Sequence, residues 1–150
     1  MSTSWPLGFA GGFQGSLTGL DNARFIARIY RREYADIRQF VEDFTELGKQ
    51  LTMPVKTYSS GMRARLAFAL SLAIDFECYL IDEVILVGDL NFQQKCHAEM
   101  FVKRRGQSMI VASHSPEFIQ ANCNKAVLIN NGLATVYDDV ALAVSHYSEL

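Results

Sequence analysis

The feature that most restricts the fold of this 150-residue chain is an apolar run from Leu66 to Ile74, broken only by Ser71. The run is too short to cross a bilayer, which takes about 20 apolar residues in a helix. A helix that is apolar on every side is a buried one. We therefore expect a buried helix from Gly61 to about Ile74, started by Ser59 or Ser60 as its cap.

The composition is that of a globular intracellular domain. Hydrophobic residues make up 49% of the chain and charged residues 20%, which suits a packed core and excludes a disordered tail or a collagen-like fibre. The net charge of -2 argues against a broad basic surface, so no nucleic-acid partner is expected. The three cysteines lack metal spacing and are expected to be reduced thiols, with Cys78 and Cys96 in packing roles. The start of the chain has no basic segment before an apolar stretch, so it is not a secretory signal.

Before the buried helix, the sequence predicts a loop and two further helices. Residues 5–20 hold five of the ten glycines and are expected to form an irregular loop with apolar anchors. Asp21 or Asn22 is expected to cap the first helix. Helical spacing of apolar residues predicts a second helix after Asp36, ended by Gly48.

Beyond residue 77, strands and helices alternate. Cys78–Ile81 is expected to be a buried strand that ends in acidic residues, and Ser108–Ser113 a second buried strand. A helix is predicted over Asn91–Lys103, and Asn130-Asn131-Gly132 predicts the tight turn of a hairpin. These alternating elements indicate the α/β class. Caps are expected for two later helices: Ser115, and Asp138 or Asp139.

Three polar features follow one another in an order that suits nucleotide chemistry. Ser59-Ser60-Gly61 opens a helix with free backbone N–H groups, hydroxyls and the positive end of the dipole, which suits an anion. Asp82 ends a buried strand, where a carboxylate can hold Mg²⁺ through water, and the adjacent Glu83 can polarise an attacking water. His114 follows another strand, where it can hydrogen-bond a terminal phosphate.

Each feature also has an ordinary structural interpretation. Ser-Ser-Gly at a helix start is usually a cap, and Asp82-Glu83 could be a solvated turn. His114 could be a surface residue of a loop. The order and spacing of all three together favour the functional interpretation over three separate coincidences.

The same residues carry a resemblance to a family. Tyr58 to Ala73 resembles the signature segment of ATP-binding-cassette (ABC) ATPases. Leu80-Ile81-Asp82-Glu83 resembles their Walker B strand, Val87-Gly88-Asp89 their D-loop, and His114 their switch histidine. The resemblance covers nearly the whole chain. Three segments are most similar to the ATPase subunits of bacterial capsular polysaccharide exporters: Trp5-Pro6, Gly11 to Gly19, and Lys56 to Arg63.

The resemblance implies a role for each of these residues toward ATP. Glu83 would be the catalytic base, supported by His114. Mg²⁺ would be held by Asp82 together with Gln14, the Q-loop glutamine that couples nucleotide to the membrane partner. Asp89 would cross the dimer interface. The signature residues would contact the γ-phosphate of ATP bound by a second subunit: Ser59, Ser60, Gly61 and Met62.

The resemblance also implies an architecture and partners. The fold would be a partial P-loop NTPase core of ABC type with a helical subdomain. Residues 1–20 would form the Q-loop region, 21–76 the helical subdomain with the signature, and 77–150 the RecA-like remainder. The chain would work as a homodimer with transmembrane permease subunits, on the cytoplasmic face of the bacterial inner membrane.

One expected motif is missing from these 150 residues. A Walker A loop needs G-x-x-x-x-G-K-[ST], whose amides and lysine hold the phosphates. The one Gly-Lys pair, Gly48-Lys49, has Asp43 in place of the first glycine and is followed by Gln50. We therefore expect an amino-terminally truncated chain that is inactive alone. Two hypotheses follow, an export ATPase subunit or a non-catalytic scaffold that keeps the permease and dimer contacts.

Other polar residues are expected to be structural. His97 and His146 lack ligand partners at metal spacing, so surface roles are expected for both. The pairs Arg31-Arg32 and Arg104-Arg105 are expected to lie on solvated faces.

Overall fold

The computed structural model describes residues 2–7, 14–82 and 88–150. The chain forms two compact units, Met1–Ile110 and Val111–Leu150. Helices and strands alternate as expected for the α/β class. The strands are β1 (Thr3–Pro6), β2 (Cys78–Asp82), β3 (Ser108–Ala112), β4 (Ala126–Asn130) and β5 (Leu133–Tyr137), and the helices are α1 (Gly19–Ile29), α2 (Tyr34–Thr45), α3 (Ser60–Leu72), α4 (Leu90–His97), α5 (Pro116–Asn122) and α6 (Val140–Ser148).

The sheet of the first unit begins with a strand that the sequence did not predict. Residues 3–6 form β1, which pairs in parallel with β2, although Trp5 and Pro6 were expected to belong to an irregular loop. The Leu7 amide donates to the Leu80 carbonyl at 2.9 Å, and the Trp5 indole donates to the Ser71 hydroxyl at 2.8 Å. These contacts lie more than 65 positions apart in sequence, so local glycine content could not reveal them.

The predicted buried strand β2 is confirmed, but the exposure of β3 differs from the prediction. β2 lies between β1 and β3, and it is buried except at Leu80, which is half-buried, and Asp82, which is exposed. β3 is at the edge of this sheet, so its residues alternate between half-buried and exposed, and Ile110 is 61% exposed. The expectation of a second buried strand at residues 108–113 is therefore wrong. An apolar strand is buried only where another layer or a neighbouring strand covers it.

The buried helix α3 is confirmed, and every residue from Leu66 to Leu72 is buried. The start of α1 and the end of α2 differ from the prediction. α1 is capped by Thr18, not by Asp21 or Asn22, because Thr18 and Asp21 form a reciprocal capping box. α2 ends at Thr45, and the next residue, Glu46, caps it with a left-handed φ of 56°. Gly48, which was expected to end this helix, is instead the first residue of a 3₁₀ helix.

The helix predicted over residues 91–103 is present but changes its geometry. Its first part is α4, and a π-helical segment, Ala98–Val102, continues it. Arg104 lies on no solvated face, contrary to the expectation: its guanidinium donates to the Leu72 carbonyl at 2.8 Å and to the Glu99 carboxylate at 2.9 Å. Glu99 is itself buried, and Lys103 also pairs with it. The buried charge is stabilised because it is paired and hydrogen-bonded.

The second unit follows its sequence signals closely. β4 and β5 form an antiparallel hairpin, and Asn131 and Gly132 have φ values of 50° and 79° at its turn. Positive φ at both central residues is what a two-residue type I′ turn requires. Ser115 caps α5 and Asp139 caps α6, as predicted.

Candidate functional site: the start of the signature helix

The first turn of α3 is exposed to solvent, and a capping hydrogen bond holds its backbone in place. Ser59 and Ser60 are exposed, whereas the later turns of the same helix are buried. The Ser59 hydroxyl accepts a hydrogen bond from the Met62 amide at 3.2 Å and thereby caps the helix. The Ser60 hydroxyl makes no hydrogen bond to any residue that the structure describes. An added Cβ on Gly61 would meet nothing nearer than the Ser59 hydroxyl oxygen at 4.0 Å, so a ligand could approach the first turn of α3 here.

The two serines should therefore differ in what they contribute to stability. We expect Ser59→Ala to cost about 1 kcal/mol of unfolding free energy because the cap is lost. Ser60→Ala should cost much less, since its hydroxyl lacks a partner within the described residues. Denaturant unfolding of both variants measures the difference, and equal losses would contradict the assignment of Ser59 as the cap.

The segment that carries Gln14 is anchored by Asn22, which the sequence analysis considered only as a possible helix cap. The Asn22 side chain is buried, accepts from the Gln14 amide at 3.2 Å, and donates to the carbonyls of Gln14 and Thr18. The Gln14 residue itself is exposed. A buried amide side chain must be hydrogen-bonded, and Asn22 satisfies this by holding the loop that precedes α1.

This segment is also tied to the residues that precede the signature. The Lys56 amide donates to the Gly15 carbonyl at 2.8 Å, and the Val55 amide donates to the Leu17 carbonyl at 2.9 Å. Tyr58 is buried, and its hydroxyl donates to the Gln50 carbonyl at 2.7 Å. Burial raises the pKa of Tyr58, so the phenol stays protonated and can donate. The structure thus brings the Gln14 segment and the signature segment together through backbone hydrogen bonds.

Two candidate residues lie at the ends of strands. Asp82 is the last residue of β2, as the sequence predicted, and it is exposed. His114 is exposed just after β3. Glu83, the expected catalytic base, lies outside the described residues, as does Val87 of the D-loop.

Asp89 is placed at the amino end of α4. One carboxylate oxygen accepts from the Phe92 amide at 2.9 Å and caps the helix, and the other pairs with Arg65 at 2.6 Å. The preceding Gly88 has a φ of 81°, and a Cβ there would come within 3.1 Å of the Phe92 ring. A glycine is therefore required before Asp89. The expected contact of Asp89 with a second subunit stays a prediction.

Arg65 is a residue that the sequence analysis missed. No role was expected for it, yet it links α3 to Asp89. The available signal was its position: a charge on a helix that is otherwise buried needs a partner.

The remaining histidines and cysteines have structural surroundings. His97 packs against Phe101, and His146 shares a hydrogen bond of 2.9 Å with the Tyr137 hydroxyl. Cys78 and Cys96 are free and buried, which confirms their packing role, and burial raises the pKa of Cys96 to about 12. Over the described ranges, no group of three or more potential side-chain ligands could hold a metal by itself.

No family model matches the chain. It is 53% identical over 150 residues to the capsule polysaccharide export ATP-binding protein CtrD of Neisseria meningitidis serogroup B; the match covers all of this chain and 69% of the relative. It is also 53% identical over 149 residues to the ATP-binding protein BexA of Haemophilus influenzae, with 99% of this chain and 69% of that protein covered.

A solved structure supports the same conclusion at the level of the fold. The ATP-binding subunit of an ABC transporter superposes with a TM-score of 0.76 at 16% identity, over 96% of this chain and 62% of that one. This likeness shows an ABC ATPase fold, which is a P-loop NTPase fold, and the chain spans about three fifths of it. The chain belongs to the ATP-binding proteins of capsular polysaccharide export ABC transporters.

Proposed function

We propose that this chain provides most of an ATP-hydrolysing subunit that drives export of a capsular polysaccharide. Two such subunits would form a dimer with ATP bound at the interface between them. The dimer would act on transmembrane permease subunits at the cytoplasmic face of the bacterial inner membrane. The observation that carries the proposal is the exposed, capped start of α3, with its family sequence Ser59-Ser60-Gly61. Over the described parts of the chain, no helix is long and apolar enough to cross a membrane.

The start of α3 suits the γ-phosphate of ATP that the second subunit binds. The amides of its first turn point out of the helix, and the space beside Gly61 lets a phosphate approach the backbone. Ser60 offers a hydroxyl that is not used in the described structure, while Ser59 keeps the turn in shape. Met62 would contribute its backbone to the same turn.

The described residues also fit Mg²⁺. Mg²⁺ keeps several waters and takes one or two carboxylates together with phosphate oxygens, so a single exposed carboxylate such as Asp82 suffices. Gln14 would add an amide oxygen to this site. When bound, Mg²⁺ would neutralise charge on the phosphates.

The water that attacks the γ-phosphate would be activated by the protein. Glu83 would accept its proton, and His114 would hydrogen-bond the phosphate so that water and phosphate stay aligned. Asp89 would contact the second subunit. The Gln14 segment, held by Asn22 and by the segment before α3, would relay changes at the nucleotide to the permease.

A chimera tests the proposal. In it, these 150 residues replace the aligned 150 residues of CtrD, so that the rest of the relative completes the protein. We expect the chimera to hydrolyse ATP and the 150-residue chain to show little affinity for a fluorescent ATP analogue, because the sequence holds no Walker A motif. A folded chimera that binds ATP without turnover would contradict the proposal, and micromolar binding by the chain alone would contradict the second expectation. None of the relatives named above is described as a non-catalytic scaffold, so we keep a single proposal.

A further inference from the structure

We propose that Arg65 is a positioning residue that makes α3 and the D-loop move as one body. This inference rests on the proposed function, because it concerns how two parts of the same ATP site stay in register. It is carried by the contacts of a single side chain with three elements. Arg65 itself touches no nucleotide in this scheme.

The Arg65 guanidinium reaches outward from the second turn of α3. It pairs with the Asp89 carboxylate at 2.6 Å and donates to the Thr45 carbonyl, at the end of α2, at 3.4 Å. It also lies over the Phe92 ring of α4, 4.9 Å from the ring centre. Its side chain is 22% exposed, so these contacts take up most of its surface.

The two carboxylate oxygens of Asp89 have different partners. One oxygen caps α4 through the Phe92 amide, and the other faces Arg65. The side chain remains 60% exposed, which leaves room for a further contact. Arg65 therefore adds a second restraint to a carboxylate whose other oxygen is held by the Phe92 amide. An arginine suits this task because its planar fork can serve a carboxylate, a carbonyl and an aromatic face together.

The Arg65 contacts would couple movements of the signature residues to movements of Asp89. The start of α3 and Asp89 would both face the second subunit in the proposed dimer, and Arg65 joins them within one chain. A displacement of the signature residues by ATP would then displace Asp89 as well. If the link is cut, ATP should still bind, but the catalytic arrangement should form less often.

The chain offers a matched control in Lys95. Its ammonium also serves the end of α2, donating to the Asp43 carbonyl at 2.7 Å and pairing with Glu46 at 2.8 Å. It makes no contact with Asp89 in the described structure. Lys95→Met therefore removes a cation that holds the same helix end, without touching the proposed link.

The first measurement uses the 150-residue chain and amide hydrogen exchange at Phe92. We expect Arg65→Gln to speed exchange of this amide about tenfold, because the capping carboxylate loses its orientation. Asp89→Asn should speed exchange to a similar extent, because it also breaks the ion pair with Arg65 that orients the cap. Lys95→Met should leave it unchanged. Unchanged exchange in Arg65→Gln, or equal acceleration in Lys95→Met, would overturn the inference.

The second measurement uses ATP hydrolysis by the chimera. We expect Arg65→Gln to lower kcat about tenfold with KM for ATP within about twofold of the parent, and Arg65→Lys to restore part of the loss. In the Asp89→Asn background, Arg65→Gln should have no further effect, because both changes cut the same link. A further tenfold loss in that background would overturn the inference. An inactive parent chimera would contradict the proposed function instead, and the exchange measurement alone would then decide on Arg65.

Discussion

Glu83→Gln in the chimera should lower ATP turnover by about 100-fold or more, the scale on which a general base contributes. Glutamine keeps the shape of the side chain but cannot accept the proton of the attacking water. ATP binding should be retained, and dimers formed with ATP should persist because hydrolysis no longer separates them. Single-turnover hydrolysis, ATP binding and light scattering on one sample measure the three properties.

Asp75 provides an acidic control for Glu83. Asp75 is exposed and precedes β2, so Asp75→Asn removes one negative charge without changing a residue of the proposed site. It should hydrolyse ATP as the parent does. If Glu83→Gln also stayed within a few-fold of the parent, another residue would have to be the base.

Gly61→Asp should abolish hydrolysis while leaving the fold intact. The new side chain has space, because the nearest atom to an added Cβ is 4.0 Å away, and a carboxylate in the first turn of a helix is tolerated or mildly stabilising. The same carboxylate would repel the γ-phosphate of the second subunit and occupy its path. ATP should still bind, because the rest of the relative, itself an ATP-binding protein, completes the chimera. Melting temperature, ATP binding and hydrolysis are to be measured together.

Gly106 supplies the matched control for Gly61. It is exposed, and an added Cβ there would meet nothing within 4 Å. Gly106→Asp should leave melting and hydrolysis unchanged. If Gly61→Asp behaved in the same way, the start of α3 would be only a capped helix end, and its assignment to phosphate would be wrong.

Features with local causes were predictable from the sequence. The Ser59 cap, the burial of Leu66 to Leu72 and the turn at Asn131-Gly132 each depend on residues a few positions apart. The exposed Asp82 at the end of a buried strand belongs to the same class. The family resemblance was readable for the same reason, because its motifs are contiguous segments.

Features that depend on distant partners were not predictable. Arg104 was expected on a solvated face together with Arg105, but its guanidinium is hydrogen-bonded to Glu99 and to the Leu72 carbonyl at the end of α3. β1 was not predicted as a strand because its partner strand lies more than 70 positions away. Even the boundary of α1 was misjudged, since Thr18 and Asp21 had to be considered together as a capping box. The roles proposed for Gln14, Asp82, Glu83, Asp89 and His114 stay predictions.

The pairing of β1 with β2 has a consequence for how the chain is made. The Ser4 hydroxyl accepts from the Leu80 amide, 76 positions later, so the first strand leaves the ribosome well before its partner exists. At about 5–20 residues per second, translation leaves this gap open for roughly 4–15 s. During that interval the Trp5 indole lacks its Ser71 acceptor and the Leu7 amide lacks the Leu80 carbonyl. The pairing of β1 with β2 can therefore be completed only after residue 80 has been synthesised.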